Sequence, residues 1–303
     1  MRPYLFKIGG FELRIYSLMY ILAFLFGMFI CLADDVAEKR GVDDRKTIED
    51  FTFSTIVAGL IGARLYYVIF KFSDYAGDPL SIFYIWQGGL AIHGGIIGAF
   101  VGACLFARKS KVNLWVLTDM GVGPLLFGQF LGRFGNLANG EVHGVPTFTP
   151  WNVIFSGKFS EWWAKYQTLG VAEQAQFKQL VPWGLTFPLD TPAGSEFPNL
   201  PLHPAMLYEG ALNLIGFLIL WFYFRKKEYN PGVLSMIYLI IYAIIRTFVS
   251  TFRAEDLLIF GIRLPYIISI IMIIIGIVGI KYFSRPERKF VPAEKENSEN
   301  NKN

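Results

Sequence analysis

Cysteine and histidine are scarce in this chain, with two of the first and three of the second among 303 residues. Cys31 and Cys104 both lie inside apolar runs and read as packing residues. They offer neither a disulfide framework nor a spacing of zinc ligands. Charge is missing locally as well. Residues 267–280 contain none, 211–224 contain none, and 232–246 contain none between their ends. A soluble chain disperses its apolar residues as amphipathic stripes. Blocks like these, counted with their flanks, approach the roughly 20 residues that cross a hydrocarbon core about 30 Å thick. A removable signal peptide is not expected, because a structured-looking segment precedes the first apolar run and no small-residue cleavage site follows it.

What is abundant is apolar and aromatic surface: 53% of residues are hydrophobic and 17% aromatic, with a mean hydropathy of +0.42. The net charge of +4 does not point to nucleic acid, because the cations sit in short clusters between apolar blocks and so report topology. The blocks predict seven spans, near 16–33, 51–70, 90–107, 115–134, 205–224, 232–252 and 264–283. Lys39, Arg40, Arg45 and Lys46 follow the first; Arg108, Lys109 and Lys111 follow the third. Arg225, Lys226 and Lys227 follow the fifth, and Lys281, Arg285, Arg288 and Lys289 follow the last. The positive-inside rule then sets the N-terminus outside and the C-terminus in the cytoplasm.

The expected class is an all-α integral membrane protein of about seven transmembrane helices. Its parts are an outer arm (1–15), spans one to four (16–135), an outward head (136–202), spans five to seven (203–283) and a polar cytoplasmic tail (284–303). In the arm, Tyr4, Phe6 and Ile8 alternate with other residues, as do Phe11, Leu13 and Ile15. Gly9-Gly10 between them suits a two-residue hairpin turn, although an irregular lead-in fits equally well. In the head, Phe159, Trp162, Trp163, Tyr166 and Leu169 recur at helical spacing. They fit an interfacial helix or the head's own core.

Polar groups within a bilayer are costly, so those that occur mark function. His93 lies at the outer end of the third predicted span, Arg133, Asn136, Asn139 and Glu141 at the outer end of the fourth. His203, Tyr208 and Glu209 open the fifth, and Arg246 lies late in the sixth. The topology sets nearly all of them at one depth. Guanidinium offers phosphate a planar fork that stays charged. Nearby glycines (88, 89, 94, 95, 132 and 135) allow close backbone approach, and an imidazole can move a proton near neutral pH. A phosphate at headgroup depth suggests a phospholipid. Bland readings stand beside these: Arg64 in the second span fits a snorkelling anchor, a lone His93 fits a hydrogen-bonded structural residue, and Gly59, Gly62 and Gly98 fit helix packing.

The run Gly132-Arg133-Phe134-Gly135-Asn136-Leu137-Ala138-Asn139-Gly140-Glu141-Val142-His143-Gly144 resembles the signature of prolipoprotein diacylglyceryl transferases at every fixed position. Tyr16-Ser17-Leu18-Met19-Tyr20, His93-Gly94-Gly95, His203-Pro204-Ala205-Met206-Leu207-Tyr208-Glu209 and Arg246 are similar to further family features, in order. The resemblance extends to about Tyr282 except around 156–200. It implies transfer of a diacylglyceryl group from phosphatidylglycerol to the lipobox cysteine of a prolipoprotein, in the bacterial cytoplasmic (inner) membrane. No cofactor, no metal, no nucleic acid and no obligate protein partner are implied. Arg133 and Arg246 would hold the phosphate and His93 would be the candidate base. Tyr16, Asn136, Asn139, Glu141, Gly144, His203, Tyr208 and Glu209 would complete the substrate site. Family members often carry an acid four residues after the sixth-span arginine; here Ser250 stands there, so Arg246 either finds another counter-charge, Glu209 or Glu255, or leaves its charge for the lipid phosphate. A lipid flippase or transporter is the alternative. It predicts internal repeats and charges near mid-span, and no repeat is visible.

Overall fold

The computed structural model describes residues 4–8, 11–32, 42, 45–75, 77–84, 89–254 and 257–286. Gly9-Gly10, the first cation cluster up to Arg40, Gly88, Glu255 and the tail from residue 287 lie outside them. Helix dominates. The long helices are α1 (Ile15–Leu32), α2 (Arg45–Phe70), α3 (Ile92–Ser110), α4 (Leu114–Asn139), α9 (Ala205–Ile219), α10 (Val233–Phe252) and α11 (Leu264–Phe283). Between α4 and α9 come four short ones: α5 (Trp151–Ser156), α6 (Phe159–Gln167), α7 (Val171–Gln174) and α8 (Pro192–Glu196). Two small hairpins complete the description. Strands β1 (Tyr4–Ile8) and β2 (Phe11–Arg14) pair antiparallel, as the arm's alternation predicts, with a bulge between Tyr4 and Phe6. Strands β3 (Leu258–Ile259) and β4 (Ile262–Arg263) join α10 to α11.

Among the described residues, six helices are long and apolar enough to cross a membrane: α1, α2, α4, α9 with its π-helical extension to Phe224, α10 and α11. At 18 to 26 residues they measure about 27–39 Å at 1.5 Å per residue. The third predicted span, 90–107, coincides with α3, a 19-residue helix with His93, Gly94 and Gly95 near one end and Arg108 and Lys109 near the other. On α11 the buried residues are Ser269, Gly276 and Phe283, while isoleucines such as Ile270, Ile271, Ile274 and Ile275 are exposed around it. An apolar circumference of that kind is soluble only in lipid.

The chain divides into two compact units. One comprises residues 28–121, 230–232 and 286–303. Its α2 and α3 cross so closely that a Cβ on Gly62 would lie 2.4 Å from the Gly94 carbonyl oxygen. Small residues at such crossings are how helices pack in lipid, where no hydrophobic drive brings them together. Arg64 is buried here and donates to the carbonyls of Ile82 (2.6 Å), Ser81 (2.6 Å) and Gly89 (3.0 Å). It is therefore not a snorkelling anchor. Its fork fastens the connection between α2 and α3.

The other unit comprises residues 1–27, 122–229 and 233–285. Its core joins the 136–202 segment to α9 and α10: Val145, Ile154, Phe159 and Phe197 pack with Met206, Val249 and Phe252. Along α6, Phe159 is buried, Tyr166 stacks with Trp162 and Trp163, and Phe148 packs against Trp163 and Tyr166 at a tilt. This aromatic stripe packs against the core that the 136–202 segment shares with α9 and α10.

Candidate functional site at the ends of three helices

Everything predicted for the site except His93 falls in the unit that holds α9 and α10. Helix α4 ends at Asn139, and the chain reverses through Gly140 (φ +66°) and Val142 (φ +61°). The turn is closed by Glu141 N–H donating to the Asn136 carbonyl at 2.9 Å. That reversal folds the Glu141 carboxylate back over the helix end, where it accepts from Asn139 Nδ2 (3.3 Å) and Asn136 Nδ2 (3.5 Å). Gly140 is needed twice over. Its backbone is left-handed, and a Cβ there would meet Thr191 at 2.6 Å. Thr191 is the N-cap of α8, accepting from Gly194 N–H, and Ala193 N–H donates to the Gly140 carbonyl. The start of α8 thus docks on the turn.

One turn before Asn136 stands Arg133. Its Nη1 donates to Asn136 Oδ1 (3.1 Å) and its Nη2 to Glu209 Oε1 on α9. The other carboxylate oxygen of Glu209 lies 3.6 Å from Arg246 Nη1 on α10. Glu209 is fully buried, while the two arginines keep 19% and 20% of their side-chain surface. A buried carboxylate needs compensation, and here guanidinium groups from two helices supply it. The counter-charge sought for Arg246 is accordingly Glu209; Glu255 lies outside the described residues. Gly210 leaves room for the stem of Arg133, which would come within 3.4 Å of a Cβ there.

Tyr16 lays its ring on Gly135, close enough that a Cβ would be 2.4 Å away, and accepts from the Tyr20 hydroxyl at 3.0 Å. Gly144 sits in a backbone crossing: its N–H donates to the His203 carbonyl at 2.8 Å, and a Cβ would meet His203 and the Phe252 carbonyl at 2.7 Å. His203 is buried beneath Trp151, Tyr208 and Phe252. Its Nδ1 pairs with the Tyr208 hydroxyl (3.1 Å), which also accepts from Trp183 Nε1 (2.7 Å). Burial pushes the imidazole pKa down to about 4, so it is neutral near pH 7. His93 belongs to the other unit. It lies exposed in the first turn of α3, its ring 6.0 Å from that of Tyr66.

The chain matches the family of prolipoprotein diacylglyceryl transferases over residues 3–282. It belongs to that family. A phosphatidylglycerol–prolipoprotein diacylglyceryl transferase of Fusobacterium nucleatum is 50% identical over 284 residues, covering 93% of this chain and 98% of the relative. Proteins of the same name from Synechococcus elongatus and Thermotoga maritima are each 32% identical, over 92% and 95% of this chain and 86% and 87% of theirs. For this transferase-family chain, the geometry adds partners that reading the sequence passed over. Trp183 lies in the stretch where no resemblance was legible. Arg263 is buried and donates to the Ser250 and Arg253 carbonyls, capping α10 from the β3–β4 hairpin. Gln129 and Asn213 are polar residues inside predicted spans, and the cost of such residues in lipid was signal enough to find them.

Proposed function

We propose that this chain transfers the sn-1,2-diacylglyceryl group of phosphatidylglycerol to the thiol of a prolipoprotein lipobox cysteine. The substrate thiolate attacks the glycerol carbon bonded to the phosphate oxygen. A C–S bond forms, the C–O bond breaks, and glycerol phosphate leaves with the electron pair. The observation that carries the reading is the convergence of Arg133 and Arg246, from α4 and α10, on the buried carboxylate of Glu209. Two guanidinium groups held at one point are suited to stabilise the charge that grows on the departing phosphate. Names of relatives at up to 50% identity point the same way. The nucleophile belongs to the substrate, so neither Cys31 nor Cys104 is required.

In this reading Arg133 and Arg246 hold the phosphate, while Asn136, Asn139 and Glu141 fix the arginine and headgroup. Tyr16 and Gly144 shape the wall, and His203 and Tyr208 brace it. His93 is the candidate proton acceptor. An open, almost wholly apolar cleft between α1 and α4, lined by Met19, Leu22, Leu131 and Phe134, suits acyl chains or an apolar signal sequence. We assign the protein to the bacterial inner membrane as a multi-pass enzyme, its N-terminus and 136–202 segment outside, that works without an obligate protein partner. The test is purified protein incubated with phosphatidylglycerol and a lipobox peptide. A diacylglyceryl mass addition with stoichiometric glycerol phosphate is expected; release of glycerol phosphate with an unmodified peptide would sink the reading.

A further inference from the structure

Each of the three helices that meet at Glu209 repeats a polar residue four positions deeper along its span. Arg133 on α4 is backed by Gln129, Glu209 on α9 by Asn213, and Arg246 on α10 by Tyr242. Four residues are about 6 Å of helix and return to nearly the same face. Contacts fix that face. Gly210, on one side of Asn213, looks onto Phe130 and Arg133 of α4, and Gly216, on the other, onto Ile241 and Ile245 of α10 and Leu126 of α4. Asn213 therefore projects among these helices beneath the arginines. Gln129 Nε2 donates to the Tyr238 hydroxyl at 3.1 Å.

Asn213 is fully buried, and among the described residues neither its amide nitrogen nor its amide oxygen has a hydrogen-bond partner; Gln129 Oε1 is buried and unpartnered too. Buried amides are nearly always paired, and an orphan of this kind calls for an explanation. Nothing in helix packing asks for an amide at 213, since an apolar side chain there would have no polar group to satisfy.

We propose that Asn213 donates a hydrogen bond to an ester carbonyl of the lipid's glycerol backbone, making the site selective for diacyl over dialkyl lipids. The proposal rests on the reading above, in which the arginines hold the phosphate. In a glycerophospholipid the ester carbonyls lie a few bonds beyond the phosphate on the hydrocarbon side, a distance on the order of one helical turn, roughly 5 Å. Asn213 lies that far beyond Glu209, toward the middle of the span. An ester carbonyl accepts and cannot donate, so it answers the Nδ2 donor, whereas an ether oxygen in the same place is a much poorer acceptor. A site built to hydrogen-bond a group discriminates against an analogue lacking it, because its buried polar atom is then left unpaired. For one neutral bond the expected preference is about fivefold to tenfold.

The experiment compares full-length protein in vesicles of diacyl phosphatidylglycerol with vesicles of its dialkyl ether analogue, by initial rates of peptide modification. Wild type should favour the diacyl lipid about fivefold or more in kcat/KM. Asn213→Leu should bring the ratio close to one, and Asn213→Thr, which keeps a donor on a shorter stem, should hold part of it. A merely structural role for Asn213 would lower both rates together and leave the ratio intact, which would overturn the proposal. Equal rates from the two lipids in wild type would overturn it even if neither variant folds. No transfer from either lipid would overturn the transferase reading and this contact with it, so the two failures are told apart.

Discussion

Arg133 directs its two terminal nitrogens to different partners, Asn136 on its own helix and Glu209 on α9. Lysine ends in one nitrogen and does not span both. If the same fork grips phosphate as charge builds on the leaving group, Arg133→Lys loses about 2–3 kcal/mol, a rate roughly 30- to 150-fold lower. Initial rates against phosphatidylglycerol at matched folded fraction check this, and a variant within threefold of wild type would return Arg133 to the role of an interface anchor. His203 yields a second prediction at this scale. Its pKa falls from 6.5 in the open chain to about 4 in the fold. The unfolded chain therefore takes up the proton first as pH drops, and stability declines between about pH 6.5 and 4, then levels off. The loss is at most about 3 kcal/mol at 1.36 kcal/mol per pH unit. Unfolding curves across that window should be flatter for His203→Gln, and an equally steep decline would assign the effect to other groups.

At the scale of elements, the turn after α4 does two jobs, aiming Glu141 at the asparagines and receiving α8. Gly140→Ala adds a Cβ where φ is +66° and Thr191 stands 2.6 Å away. Backbone strain of this kind costs on the order of 1–3 kcal/mol. Faster proteolysis of the 145–200 segment should accompany the lost stability, whereas loss of activity with a protease-resistant head would restrict the damage to Glu141. The run 132–144 was legible through its resemblance to the family signature at every fixed position, and its polar residues at a span end added the cost of polar groups in lipid. The apolar blocks were equally legible, since composition alone decides what lipid dissolves. Arg64 and the aromatic stripe of α6 were not, because snorkelling, carbonyl-capping, interface and core all use the same residues and differ only in what surrounds them. The shared Glu209 was half legible: a counter-charge for Arg246 was demanded, but two acids answered the description. Asn213 was missed although its signal was present, because attention to span ends passed over a lone amide inside one.

For the whole molecule, the cation clusters and the apolar helices make orientation testable. Cysteine labelling or reporter fusions should report Lys109 and Lys226 inside and Lys158 outside. An inside location for the 145–200 segment would separate the clamp from the outer leaflet, and with it from a substrate peptide emerging on that side.

Glu209 also has a meaning for traffic through the site. With a carboxylate already seated between the arginines, an incoming phosphate does not dock into vacant positive charge but exchanges with a resident anion. A small anion gains little by that swap, since it trades one counter-ion for another and must shed its hydration. A lipid adds its hydrocarbon contacts to the balance, at about 0.8 kcal/mol per buried methylene. Inorganic phosphate should therefore be a poor competitor, leaving turnover nearly untouched at concentrations where a short-chain phosphatidylglycerol inhibits, and Glu209→Gln should make the site more sensitive to it. The carboxylate would then act as a gatekeeper that turns away the abundant ions of the outer aqueous phase and yields only to a ligand arriving from within the bilayer.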